Sequence, residues 1–164
     1  MGVSLDLITR LAEEGTGRFD VHLLTEVTEG AMGALEVVCR PGIARVTFPY
    51  EGTDDVEAVA APVRAVGARP WLAVAPGTRI DECRDVLAHV DGVLVMLIEP
   101  GTRQLADLAQ LTKVDMAHPV RTAGVDGGVN EENVDRILAA GTGYVVVGRR
   151  LFTCSQHKPE GAQR

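Results

Sequence analysis

The chain has 164 residues, of which 46% are hydrophobic and 24% charged, so it is long enough for one globular domain and its composition argues against disorder. It has 23 acidic residues against 16 basic ones, and the net charge of −7 makes binding to nucleic acid or to an anionic membrane unfavourable. The three cysteines form no CxxC pair, and neither a membrane span nor a signal peptide is visible, so we expect a cytoplasmic protein.

Strand patterns recur along the chain after a first helical segment at residues 5–13. Six short β-rich runs follow, spaced roughly 22 to 28 residues apart. They are residues 19–24, 45–48, 70–74, 93–98, 120–125 and 144–147. Most are continuously apolar rather than alternating, which is typical of parallel strands that are buried on both faces.

Helical spacing of apolar residues lies between several of these runs, at residues 56–66, 80–89 and 134–140. The predicted N-caps are Asp54 or Asp55, Thr78 and Asn130. The glycines predicted to end helices are Gly42, Gly67 and Gly141. The alternation predicts a βα barrel or an open doubly wound sheet, with one domain over residues 1–154 and a flexible tail over residues 155–164.

The residues that follow each run are candidate site residues, because parallel α/β folds place their sites at the carboxyl ends of strands. The fifth run ends in Asp126-Gly127-Gly128. This segment combines a carboxylate with glycines whose backbone amides suit a phosphate. A tight βα turn, in which Asp126 accepts hydrogen bonds from turn amides, would explain the same residues.

Three further candidates come from the other runs. Gly148-Arg149 forms a second glycine turn, where the arginine either clamps a phosphate or is a solvated surface charge. His22 lies inside the first run and would be a metal ligand if it faces a barrel axis, although a single buried histidine is more often structural. Met96 lies in the fourth run, in a pattern typical of core packing.

Three longer motifs occur in order: VHL with His22, VMxxEPG with Met96, and VDGGVNxxN with Asp126. The DGG segment alone occurs in other phosphate-binding barrels, but the three motifs at this spacing are specific. From about residue 2 to residue 152 the chain resembles the ribulose-phosphate 3-epimerase family. The resemblance implies a (β/α)8 TIM-barrel fold that is incomplete here, with about six βα units corresponding to the family's strands three to eight.

The resemblance also implies a function. The family inverts C3 of D-ribulose 5-phosphate to give D-xylulose 5-phosphate in the pentose phosphate pathway, using two aspartates on opposite faces of the substrate. A divalent metal (zinc, iron, manganese or cobalt), held by two histidines and two aspartates, stabilises the enediolate. By this resemblance Asp126 is a catalytic residue and, with His22, a metal ligand. Implied substrate or phosphate contacts are Met96, Gly127, Gly128, Gly148 and, where a serine is usual, Arg149.

Several departures from the family pattern bear on activity. The family's first two strands have no counterpart in the sequence, so one histidine ligand, one aspartate ligand and half of the acid/base pair are missing. We therefore expect weak metal binding. Pro49 replaces a histidine, Ala75 replaces an asparagine, and residues 102–104 replace a glycine-rich phosphate loop.

Three interpretations stay open. The start codon is placed too late, the gene is a decayed paralogue, or the protein is a noncatalytic sugar-phosphate binder or structural partner. A longer version that acts on a different ketose phosphate is a related possibility. In each case we expect a sugar phosphate as ligand, and a homo-oligomer because an incomplete barrel leaves open strand edges.

Overall fold

A computed structural model describes residues 3–15, 17–27, 32–117 and 122–154. The predicted tail at residues 155–164 lies outside the described residues, as do the first two residues of the predicted run 120–125. The division into a domain and a tail therefore stays a prediction.

Six parallel strands form one sheet in which the spatial order is the chain order. They are β1 (Phe19–His22), β2 (Ile43–Pro49), β3 (Arg69–Val74), β4 (Gly92–Met96), β5 (Thr122–Asp126) and β6 (Tyr144–Val146). The sheet is curled into a half-barrel, and β1 and β6 are its two edges. The predicted fold class, an α/β barrel with six of its strands, is confirmed.

Helices cover the outer face of the sheet. They are α1 (Leu5–Glu14), α2 (Met32–Val38), α3 (Val56–Ala65), α4 (Thr112–Met116), α5 (Val134–Ala139) and α6 (Arg149–Cys154). Asp55 caps α3 by accepting a hydrogen bond from the Ala58 amide at 3.0 Å, which settles the choice between two aspartates. Gly42, Gly67 and Gly141 have positive φ, as predicted. Within the described residues, every helix is too short or too polar to cross a membrane.

The helix predicted at residues 80–89 is wrong. The structure has two short 3₁₀ turns there, Ile80–Cys83 and Leu87–His89. Apolar side chains three or four residues apart face the core in either kind of helix, so their spacing does not distinguish the two. Thr78 is not a cap, because Arg79 precedes the first turn and no side chain bonds it.

The third predicted cap is also displaced. Asn130 accepts a hydrogen bond from the Glu132 amide at 2.9 Å, which stabilises a turn rather than the helix. The helix α5 itself begins at Val134, after Asn133, whose side chain does not cap it. An Asx turn and an N-cap need the same residue type, so the sequence alone places the cap one turn too early.

The strands bury both faces. Side chains such as Val46, Phe48 and Leu72 point outward and pack under the helices in the larger core. Trp71, Ala73, Leu94 and Met96 point inward and form a second, smaller cluster with Tyr144 and Val146. Burial on both faces explains the continuous apolar runs. Each fully buried large side chain contributes about 1.5–3 kcal/mol to the free energy of folding relative to an exposed one.

A polar group, which we call the axial cluster, lies on the inner face near the amino ends of the strands: Asp20, Arg45, Trp71 and Tyr144. The Tyr144 hydroxyl donates to Asp20 Oδ2 at 2.9 Å and so joins the first strand to the last. The Arg45 guanidinium carbon lies 3.9 Å from the centroid of Trp71 and 3.8 Å from that of Tyr144. The indole fits because Gly92 lies beneath it; a Cβ there would come within 2.3 Å of the ring.

Candidate functional site

His22 and Asp126 meet at the carboxyl end of the curled sheet. They are the last residues of β1 and β5, which are not neighbours in the sheet, and the curl brings His22 Nδ1 within 3.4 Å of Asp126 Oδ2. Their side chains are 22% and 26% exposed, so both reach solvent at the mouth of the half-barrel. A partly exposed carboxylate beside an imidazole can accept or return a proton on a bound molecule.

A metal ion would need more than this pair. Two ligand atoms bound at tetrahedral geometry with bonds of about 2.1 Å lie roughly 3.4 Å apart, so one ion could contact both side chains. Within the part of the chain that the structure describes, no three His, Cys, Asp or Glu side chains lie close enough to hold an ion. The described residues therefore do not make a complete metal site, and we derive no chemical step through a metal.

The turn after Asp126 is built around two glycines with positive φ, Gly127 at 115° and Gly128 at 65°. A Cβ on Gly127 would lie 2.7 Å from a side-chain carbon of Ile98 and 3.0 Å from its backbone nitrogen. A Cβ on Gly128 would lie 2.8 Å from the backbone nitrogen of Ala106. Glycine is therefore required at both positions by conformation and by space.

Asn133 holds this turn in shape. Its Nδ2 donates to the Gly128 carbonyl at 3.0 Å, and its Oδ1 accepts from the Asn130 amide at 2.9 Å. The side chain is buried, so these bonds are shielded from water. Asn133, the second asparagine of the VNxxN motif, thus stabilises the turn, a role that the motif alone does not predict.

Gly148, predicted to form a second glycine turn, lies beside the first turn, but its φ is outside the left-handed region. Asp126 is in register with Val146, so the residues that follow β5 and β6 leave the sheet side by side. Among the described residues, no atom lies within 4 Å of a Cβ built on Gly148, and Arg149 is exposed at the start of α6. An ion pair between Arg150 Nε and Glu131 Oε2, at 2.7 Å, connects the two turns.

Met96 is in register with Asp126 on the inner face and is 3% exposed. It packs in the inner apolar cluster, which agrees with core packing and leaves a substrate contact untested.

The predicted site residues all lie at one end of the sheet: His22, Met96, Asp126, Gly127, Gly128, Gly148 and Arg149. The structure places them together but does not test their roles.

Two residues that sequence reasoning missed hold the loop after β3. Lys113 is 9% exposed, and its Nζ donates to the carbonyls of Ala75 and Pro76, each at 2.9 Å. Glu51 Oε1 accepts from the Ala75 amide, also at 2.9 Å. Burial lowers the pKa of the Lys113 ammonium, and Glu51 opposes this shift. No sequence signal marked Lys113, because a lysine in a helix is normally solvated.

Comparison with known proteins identifies the family. The model of the Ribulose-phosphate 3 epimerase family matches residues 2–152. The chain belongs to the ribulose-phosphate 3-epimerase family. The resemblance drawn from the three motifs is confirmed at this level.

Relatives within the ribulose-phosphate 3-epimerase family are longer. The ribulose-phosphate 3-epimerase of Mycobacterium bovis is 34% identical over 119 residues, which are 68% of this chain and 52% of that protein. The Candida glabrata enzyme is 29% identical over 146 residues, which are 85% of this chain and 57% of that protein. The chain thus spans about half the length of the curated relatives it matches.

Solved structures support the fold independently. A mutant tryptophan synthase alpha-subunit from Pyrococcus furiosus superposes with a TM-score of 0.65, covering 91% of this chain and 63% of that one. Its sequence is 17% identical, so the similarity shows a shared barrel architecture and carries no information about substrate.

Proposed function

We propose that the chain binds a ketopentose phosphate, with the phosphate on the turns after β5 and β6 and the sugar beside Asp126. The observation that carries the proposal is the Asp126-Gly127-Gly128 segment. A carboxylate at the mouth of the sheet continues directly into two residues with positive φ, a conformation in which successive amides can face an anion. Family membership supplies the substrate class.

In this proposal Asp126 is the acid/base group on one face of the sugar. Its carboxylate would take the proton from C3, or return it, and His22 at 3.4 Å would orient the carboxylate. The family's chemistry uses a divalent metal as well, but His22 and Asp126 supply only two of the ligands that such an ion needs. Inversion needs a second group on the opposite face, and the resemblance gives that role to an aspartate without a counterpart here.

A second candidate function is noncatalytic sugar-phosphate binding in the cytoplasm. The incomplete ligand set around His22 and Asp126 in the described residues favours it, because the family's chemistry depends on a bound cation. The glycine turns require no metal, so an anion could still bind there. Catalysis and binding are therefore separable by experiment.

Phosphate binding is tested by amide NMR of the isotope-labelled chain. On addition of D-ribulose 5-phosphate, we expect the signals of Gly127, Gly128 and Gly148 to shift first, because their amides face the proposed phosphate. Inorganic phosphate should shift the same signals at higher concentration, and sulfate-free buffer is required. If these signals stay fixed at millimolar ligand while another region shifts, the phosphate site is misplaced.

Metal binding should be weak, with a dissociation constant in the micromolar range or above, because two ligands give too little affinity. Calorimetric titration with Zn²⁺ and Mn²⁺ measures it. His22→Ala should weaken it further. His89→Ala is the matched control, since His89 is exposed and pairs with Glu57 at 2.9 Å away from the site. Submicromolar binding that His22→Ala abolishes would mean that further ligands exist.

We also propose that the chain forms a homo-oligomer through its open edge at β1. An apolar groove of about 570 Å³ runs along this strand between it and α1, and Leu24 at its end is 58% exposed. Leu24→Lys should lower the mass measured by analytical ultracentrifugation, because a charge on an edge discourages pairing. Leu138→Lys, at a 54% exposed position on α5, should not. A wild-type chain that stays monomeric at all concentrations contradicts the proposal.

A further inference from the structure

The axial cluster places a charge where barrels normally have none. Arg45 is 5% exposed on an inner face whose other side chains include Ala73 and Leu94. Barrel interiors are usually filled by branched apolar side chains. Burial lowers the pKa of the Arg45 guanidinium, and the Asp20 carboxylate opposes this shift. The guanidinium therefore carries a desolvation cost that its neighbours have to offset.

The groups that offset this cost come from both edges of the sheet. Asp20 of β1 lies 3.5 Å from Arg45 Nη1, and the ring of Tyr144 from β6 covers the guanidinium. Trp71 of β3 covers it from another side and meets Tyr144 edge-on, with ring centroids 5.3 Å apart. If β1 and β6 moved apart, Arg45 would lose its counter-ion or its Tyr144 contact.

The axial cluster also lacks some hydrogen bonds, which makes the stabilisation of Arg45 depend further on the closeness of β1 and β6. Arg45 Nε and Nη1 and Trp71 Nε1 are buried without hydrogen-bond acceptors among the described residues. Charge and ring contacts therefore carry the stabilisation of Arg45, together with the hydrogen bond from Tyr144 that fixes Asp20. Such contacts weaken as the groups move apart.

The cluster lies directly below the candidate site. Asp20 precedes His22 by two residues, so both side chains leave the same face of β1. Tyr144 precedes Val146 by two residues on β6, and Val146 is in register with Asp126. The separation of Asp20 from Tyr144 thus constrains the separation of His22 from Asp126 in the next layer.

We propose that Asp20, Arg45 and Tyr144 are positioning residues that tie β1 to β6 across the open side of the half-barrel and so hold His22 against Asp126. The tie between the edges does not depend on the proposed function. The role of the His22–Asp126 pair in binding or proton transfer does rest on the proposed function. Breaking the tie should let the edges separate while the outer core, which packs under the helices, remains folded.

Tyr144→Phe is the decisive variant, because it keeps the ring over Arg45 and removes the hydroxyl that binds Asp20. Asp20→Asn is the complementary change. Tyr50→Phe is the matched control: it deletes a hydroxyl that donates at 2.9 Å to the Glu82 carbonyl, outside the axial cluster. Emission from Trp71, the chain's single tryptophan, reports whether packing in the axial cluster changes.

Two measurements read the geometry directly. Spin labels on Leu24→Cys and Val147→Cys, in a background whose native cysteines are alanine, report the separation of the edges by electron paramagnetic resonance. Side-chain ¹⁵N NMR of His22, assigned with His22→Gln, reports its contact with Asp126. We expect Tyr144→Phe and Asp20→Asn to broaden and lengthen the distance distribution and to shift the His22 signals, and Tyr50→Phe to do neither.

The proposal is overturned if Tyr144→Phe lowers the melting temperature as Tyr50→Phe does but leaves both the label distances and the His22 signals unchanged. The cluster would then be ordinary core packing. Failure of the proposed function looks different: the wild-type chain would bind no sugar phosphate, while the variants would still separate the edges and shift His22.

Discussion

Gly127→Ala should abolish sugar-phosphate binding and lower the free energy of unfolding by about 2–4 kcal/mol. Two costs add at this position. The backbone has a φ of 115°, which alanine rarely adopts, and the new Cβ would lie 3.0 Å from the backbone nitrogen of Ile98. Relief requires movement of the turn, which would redirect its amides. Urea unfolding and ribulose 5-phosphate titration measure the two effects.

Gly77→Ala is the control for this change. Gly77 is in the turn after β3, its φ lies outside the left-handed region, and no atom of the residues that the structure describes lies within 4 Å of a Cβ built on it. We expect a change within about 0.5 kcal/mol and unaltered ligand binding. Equal effects at the two glycines would mean that the chain responds to any loop change, and that the Gly127 turn has no special role.

Under the proposed mechanism, in which the second aspartate has no counterpart, the 164-residue chain should convert ribulose 5-phosphate to xylulose 5-phosphate at a rate lower by about 10³-fold or more than the roughly 10 per second of an ordinary enzyme. Asp126 can remove and return a proton on one face, which exchanges the C3 hydrogen but does not invert the carbon. A coupled assay for xylulose 5-phosphate measures inversion, and NMR in D₂O measures exchange.

Asp126→Asn should remove any residual exchange, because the amide cannot accept the proton. The informative comparison is a version of the protein extended upstream of Met1: if it includes an aspartate on the opposite face, inversion should appear. Turnover by the 164-residue chain at an ordinary enzymatic rate would contradict the mechanism and assign the missing role to another acid, such as Glu26, Glu51 or Glu99.

The sequence predicted the sheet well because each strand is buried on two faces. Continuous apolar runs leave few alternatives to a parallel sheet, so the six strands lie within a few residues of their predicted bounds. The segment after β3 could not be predicted as well, since apolar residues at 80, 83 and 87 satisfy either a helix or separate 3₁₀ turns.

The candidate site was partly visible in the sequence because its residues lie at strand ends in long motifs. Asp126 and the glycines after it became candidates because they follow a buried strand and lie in the VDGGVNxxN motif. Lys113 and Arg45 could not, because their roles depend on contacts with residues far away in the chain, such as Ala75 and Tyr144. The sequence did contain one indication of Arg45. It is a charged residue inside an otherwise buried strand, at a position whose side chain points to the inner face of the sheet.

The strands are hydrogen-bonded in the same order as they occur along the chain, and this order affects how the molecule unfolds. Every strand pairing joins units that are consecutive along the chain, so the ladder by itself resembles a linear array that can fray from either end. The hydrogen bond between Asp20 and Tyr144 spans 124 positions and converts that array into a loop with coupled ends. Loss of either terminal unit then removes a stabilising contact from the other, which couples the unfolding of the two ends.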